Sequence, residues 1–209
     1  TETYSTIGEN NISPLQTLDA SIRGYVMRQK APSHVFPSLG FGAELGFHFR
    51  PGHMKAYNPT AYLYTYGYLP GFTARQGLRL TASMEVWYGP YEEGGIMEGA
   101  LTAIPRGFVD TNLKSIINSC SESRWRVTAD YAIPFADVDW SFLSPVAYVK
   151  NFELTPFFDW SYQTFSWNHE LHYNPGAVTG ENLFSVGADF TVRLGNFFWL
   201  PYDTQIGIR

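Results

Sequence analysis

No long hydrophobic run occurs in this sequence. Its apolar stretches fall well short of the roughly 20 residues that a membrane-spanning helix needs. Mean hydropathy over the 209 residues is -0.18. Cysteine is all but missing: Cys120 stands alone, so no internal disulfide can form, and it reads as an incidental loop thiol. Charge is scarce, with Asp, Glu, Lys and Arg at 16% against a usual value of about 25%. There is no basic excess either. A net charge of -5 argues against nucleic-acid binding, which calls for a basic stripe. Gly-rich phosphate loops and G-x-S-x-G nucleophile elbows are absent. His34, His48 and His53 are scattered, with no carboxylate or cysteine at ligand spacing. His169-Glu170-Leu171-His172 is the only local histidine cluster. It lacks the H-E-x-x-H spacing, and on a strand its two histidines point to opposite faces. The sequence therefore predicts no enzyme, no cofactor and no metal. Internal repeats, low-complexity tracts and domain linkers are also missing. No segment holds a helical period over its length; the best candidate, Val109 to Asn118, is short.

What the sequence does have is a two-residue alternation. In Leu78-Arg79-Leu80-Thr81-Ala82-Ser83-Met84-Glu85-Val86 every second residue is apolar. Successive strand side chains point to opposite faces, so one face is apolar and the other polar. The pattern returns where Trp125, Val127, Ala129, Tyr131 and Ile133 oppose Arg124, Arg126, Thr128 and Asp130. It returns again where Phe184, Val186, Ala188, Phe190, Val192 and Leu194 oppose Ser185, Gly187, Asp189, Thr191 and Arg193. Aromatics reach 17%, which suits strands and also interfacial girdles. Trp87, Trp125, Trp160, Trp167 and Trp199 fall mostly near predicted strand ends, where a girdle would lie. A soluble sandwich could show such faces, but long strands with aromatic faces opposite charged ones better suit a membrane barrel.

About eight strands are predicted: 17–29, 39–50, 58–69, 76–88, 122–134, 147–165, 183–195 and one from near Tyr202. Residues 1–16 read as a lead-in or loop, and 17–209 as one all-β, antiparallel transmembrane barrel domain. Connectors near 30–37, 69–76, 135–146 and 195–202 are fairly short; that at 89–121 is long and that at 165–182 intermediate. The two longer ones fall on the same side by strand parity, as the outer loops of outer-membrane barrels do, although the 50–57 connector on that side is short. The final apparent strand stops abruptly, so the sequence reads as a fragment of something longer.

Placing the apolar faces outward makes the charges interior. The predicted lumen face holds Glu44, Arg79, Glu85, Arg124, Arg126, Asp130, Glu153, Asp189 and Arg193, together with Asp19, Arg23 and His48. Such charges can cross-link barrel walls as salt bridges, hydrate a channel, or tune its selectivity.

The long connector contains Pro105-Arg106-Gly107-Phe108. The strands after it carry Ala129-Asp130-Tyr131-Ala132-Ile133-Pro134-Phe135, then Phe157-Phe158-Asp159-Trp160-Ser161, then Phe184-Ser185-Val186-Gly187-Ala188-Asp189-Phe190. This order resembles the C-terminal half of the BamA/TamA superfamily of outer-membrane barrels, and the resemblance implies that the chain is the C-terminal portion of a larger barrel. With Tyr68-Leu69-Pro70-Gly71-Phe72 and Gln76-Gly77-Leu78-Arg79-Leu80 it is closest to the barrel that follows TolB-like propellers in Bacteroidetes-type surface proteins. The matching pieces run from about Tyr62 to Arg209. Ser161 stands where that family usually has Gly, and Asp130 where it has Glu; POTRA modules and a propeller are absent here.

The resemblance implies that the Arg-Gly-Phe loop folds back into the lumen. An arginine tucked there must find a carboxylate, because an unpaired buried charge is very costly. Asp159 on the predicted lumen face is the expected partner of Arg106. Gly107 would permit close backbone approach and Phe108 would wedge against the wall; a solvated turn is the alternative. The implied role is a bacterial outer-membrane domain for protein assembly or polypeptide translocation. Expected partners are outer-membrane lipid and a periplasmic propeller or accessory lipoproteins, with no nucleic acid. A passive anchor or porin-like channel, and a soluble β-sandwich or lipid-binding barrel, remain alternatives.

Overall fold

The computed structural model describes residues 18–29, 34–49, 59–88, 104–107, 121–141, 148–166, 178–195 and 204–208. Eight strands form: β1 (Leu18–Met27), β2 (Gly40–Phe49), β3 (Thr60–Pro70), β4 (Gly77–Trp87), β5 (Ser121–Trp140), β6 (Tyr148–Ser166), β7 (Val178–Gly195) and β8 (Thr204–Ile208). They pair antiparallel in chain order as a single sheet. β1 and β8 are its edges and do not pair with each other among the described residues, so the sheet is open. Among these residues no helix is long and apolar enough to cross a membrane.

The alternation dictates the register. A slip of one residue would carry every side chain to the wrong face. Between β4 and β5, Arg79 lies opposite Asp130, Thr81 opposite Thr128, Ser83 opposite Arg126 and Glu85 opposite Arg124. Like faces like across the whole ladder, and charges meet opposite charges at its two ends.

The two faces are buried in an unusual sense. Along β6 the residues Asn151, Glu153, Thr155, Phe157, Asp159, Ser161 and Gln163 are all buried. Their neighbours Leu154 and Phe158 are exposed. On β2 and β7 the apolar positions Phe41, Leu45, Phe184 and Val186 are exposed, whereas the edge strand β1 is exposed on both faces, its Asp19 and Arg23 included. Among the described residues the largest fully buried side chains are all polar: Gln163, Glu85, Thr60, Asp130, Asp159 and Ser161. From β2 to β7 the face bearing the charges is therefore the more covered one.

Aromatic rings help to cover it. Tyr62, Tyr64, Tyr66 and Tyr68 share the polar face of β3, with adjacent rings in the last three 5.8 Å apart. Tyr62 lies opposite Gly46 and Tyr66 opposite Gly42. A Cβ on Gly46 would come 2.2 Å from the Tyr62 ring, and one on Gly42 would come 2.3 Å from the Tyr66 ring. These glycines are seats for the tyrosines. At the β1–β2 end Phe36 closes over the same face, 5.8 Å from Tyr68 and 5.0 Å from the Arg79 guanidinium.

The structure corrects three expectations. Residues 135–140 are strand rather than connector, because β5 continues to Trp140 through register shifts at Pro134/Ala136 and Asp137/Trp140. A bulge accommodates a proline that has no N–H for the ladder, and Asp139 takes a positive φ of 43° where the strand ends. β7 starts at Val178, earlier than 183; Gly180, which looks like a turn residue, seats the Tyr162 ring instead. Trp87 is no outer girdle residue: it is buried on the polar face, with the Arg124 guanidinium 4.6 Å from its ring. The exposed tryptophans at 125 and 140 lie on the other face, and Trp140 packs against Phe152 at 6.1 Å. The helix candidate from Val109 to Asn118, Phe108, Cys120, Trp167, Trp199 and the His169–His172 cluster lie outside the described residues.

Candidate functional site

The site lies where residues 104–107 meet the polar faces of β5, β6 and β7. Asp130 sits midway along β5 and Asp159 just past the middle of β6; strand alternation turns both to the covered side. Asp189 on β7 projects to the same face, opposite Thr155. Arg106 reaches all three. Its Nε donates to both carboxylate oxygens of Asp159 at 3.2 and 2.9 Å, and its Nη2 donates to Oδ1 at 2.6 Å. Its backbone N–H also donates to Asp159 Oδ2, at 2.9 Å. Nη1 lies 2.6 Å from Asp130 Oδ1 and 3.7 Å from Asp189 Oδ2. The guanidinium stacks 4.0 Å from the centre of the Phe157 ring.

Two strand arginines complete the cluster. Arg126 donates to Asp159 Oδ2 at 3.0 Å. Arg79 donates through Nε and Nη2 to Asp130 Oδ2, at 3.0 and 2.9 Å. Three arginines thus face three aspartates, and the group is neutral as a whole. That balance is required, since Asp159 is 0% and Asp130 1% exposed and a lone buried carboxylate would be untenable. Burial works against the Arg106 charge, but its hydrogen bonds to Asp159 and Asp130 outweigh this and hold its pKa above the ordinary arginine value.

The local chain explains why Arg106 can do this. Pro105 is buried and fixes the backbone just before it. Gly107 has φ +75°, a left-handed conformation that glycine adopts without strain. Among the described residues nothing lies within 4 Å of where its Cβ would stand. Gly107 supplies the turn, and the contacts with the strands are made by Arg106.

The remaining predicted residues form smaller groups on the same face. Arg23 pairs with Glu44, which also accepts a hydrogen bond from the Tyr62 hydroxyl at 2.9 Å. Asp19 meets His48. Arg193 lies 3.6 Å from Glu153, and both are buried. Glu85 and Arg124 are register partners at the far end of β4 and β5. The structure does not gather these into one site with Arg106. Phe157 is the contact that sequence reading passed over. Its signal was parity: it shares the odd-numbered face with Asp159, so an aromatic there has to touch the charges.

Chemically, the cluster is a fastener. Three carboxylates converge on one point, and the cation there is a side chain of the chain itself. Among the described residues no group of three or more His, Cys, Asp or Glu side chains is arranged to hold a metal ion. A forked guanidinium on a carboxylate gives direction as well as strength, so the segment is held in one orientation across β5–β7.

Several buried polar atoms on this face have no hydrogen-bond partner among the described residues, including both side-chain polar atoms of Gln163 and the hydroxyls of Ser161 and Ser185. Buried polar groups of this kind are ordinarily satisfied by water.

No family model, no curated protein and no solved structure matches this chain.

Proposed function

We propose that this chain is the membrane domain of a bacterial outer-membrane β-barrel of the BamA-like superfamily, acting in the assembly or translocation of polypeptides. The observation that carries the reading is the inverted burial. Charged and amide side chains of β4 to β7 such as Glu85, Asp130, Asp159 and Gln163 are covered, while Phe41, Leu45, Phe184 and Val186 are exposed on the opposite face. In water such an apolar surface is an aggregation hazard. Against lipid tails it is the favourable side of the sheet, and the polar side becomes a wet interior.

The machine type rests on the Arg106 loop. A connector pinned across three strands by one arginine controls how much of the interior stays open, and polypeptide traffic needs that control. The order of the Arg-Gly-Phe loop and the strand segments after it supports the same class.

The test is fractionation of the native full-length protein, then electrophoresis with and without heating. Outer-membrane recovery with a heat-dependent mobility shift is expected. Arg106→Ala should preserve membrane recovery but impair assembly of other outer-membrane proteins or export of a cargo. An intact transport phenotype with Arg106→Ala would leave a passive anchor or pore. Recovery of the native protein in water without detergent would sink the membrane reading.

A further inference from the structure

The apolar face is not evenly filled. Across β1–β4 one row runs Val26, Phe41, Gly67, Leu80, each opposite the next. Three of the four are large, and the third has no side chain. The next row inward runs Gly24, Ala43, Thr65, Ala82, all small. The result is a groove of about 660 Å³ between Leu39, Phe41, Leu69 and Leu80, floored by Gly67. That is the size of a small-ligand cleft, roughly 300–1,000 Å³.

One charged residue lines it. Arg28 follows β1 at the groove's end. It is exposed, and its backbone N–H donates to the Leu39 carbonyl at 2.9 Å, which ties that position to the rim. By alternation from Val26, Arg28 belongs to the apolar face rather than to the charged one. Among the described residues no carboxylate forms an ion pair with it. A second apolar groove of about 460 Å³ lies between Ile22, Leu45, Phe47 and Ala61, and no charged residue lines it.

We propose that the Gly67 groove is a binding site for one acyl chain of an anionic membrane lipid, with the lipid phosphate on Arg28. An acyl chain fits an apolar trough that opens onto the lipid-facing side. A cation at its end demands an anion on the same molecule, and the arginine fork suits phosphate. The proposal rests on the membrane reading above.

Native mass spectrometry of the detergent-purified full-length protein tests it, with phosphatidylglycerol and phosphatidylcholine offered as competing probes. The wild type should retain phosphatidylglycerol preferentially. Arg28→Gln should lower that preference about fivefold, the order of effect of one basic side chain at an anionic surface. Gly67→Leu puts a side chain into the trough from a position where a Cβ meets nothing closer than the Gly40 carbonyl oxygen at 3.8 Å. It should abolish retention of both lipids at this site. Ala61→Leu, in the second groove, should change neither.

No change with Arg28→Gln and Gly67→Leu, or an equal loss with Ala61→Leu, would overturn the site while leaving the barrel intact. Masses of a dimer that Gly67→Leu converts to monomer would assign the groove to a second copy and overturn the lipid. A protein that purifies without detergent and carries no lipid would remove the membrane reading itself.

Discussion

Asp159 has no solvent contact and four hydrogen bonds from a single residue, Arg106. Removing one partner of such a pair leaves the other charge stranded, at a cost of about 3–5 kcal/mol. Asp159→Ala should therefore lose stability on that scale in urea titrations of the protein refolded into lipid vesicles. Arg106→Lys keeps the charge but loses the fork over Asp159 and Asp130 and the stacking on Phe157. It should fall between wild type and Asp159→Ala; a loss of zero would show that position, not bonding, holds the loop. Gly107→Ala should cost about 1–2 kcal/mol in the same titration, because a Cβ is strained at φ +75°. A Gly107→Asn variant that recovers part of that loss would tie the effect to backbone conformation, since asparagine tolerates the left-handed region.

At the scale of strands the polar face works through paired shapes. Gly46 and Tyr62 are one such pair, directly opposite across β2 and β3. Gly46→Ala places a methyl 2.2 Å from the ring, so the tyrosine must move off Glu44. Overpacking of this kind costs about 1–3 kcal/mol. A double variant with Tyr62→Ala should cost less than the sum of the two single changes; strict additivity would mean that the ring does not need its seat. On the other face, Leu45→Arg puts a charge among exposed apolar neighbours, opposite Ile22 and Leu63 midway along β2. It should cost about 2–4 kcal/mol in vesicles, and an unchanged urea midpoint would contradict a lipid-facing β2. The strands were legible in the sequence because period-two alternation is a local signal, and most ends lie within about two residues of expectation. The exceptions are positions where a local signal meant something else. Pro134 looks like a stop but sits beside a bulge, and Gly180 looks like a turn but seats a ring. Trp87 looked like a girdle residue because strand-end placement says nothing about face; its odd number, shared with Glu85, does.

For the whole molecule, the site was legible only in part. Arg106 and Asp159 could be paired because the family resemblance implied a loop folded back over the strand face that carries Asp159. The recruitment of Asp130, Asp189, Arg126 and Phe157 depends on how neighbouring strands are aligned, and no single segment encodes that. All four lie on the odd- or even-numbered face that the register brings together. The central claim is a sheet turned inside out, polar face enclosed and apolar face against lipid. Residues 184–189 test it most directly, because the two faces alternate there: Phe184 and Val186 are exposed, while Ser185 and Asp189 share the face of Arg106. With Cys120 replaced by Ser, spin labels placed singly along these positions in lipid vesicles would be relaxed by oxygen, which partitions into lipid, or by a water-soluble nickel chelate. The account predicts strong oxygen relaxation at 184, 186 and 188, and relaxation by the chelate alone at 185, 187 and 189. Chelate access at 184, 186 and 188, without any oxygen enhancement, would contradict it.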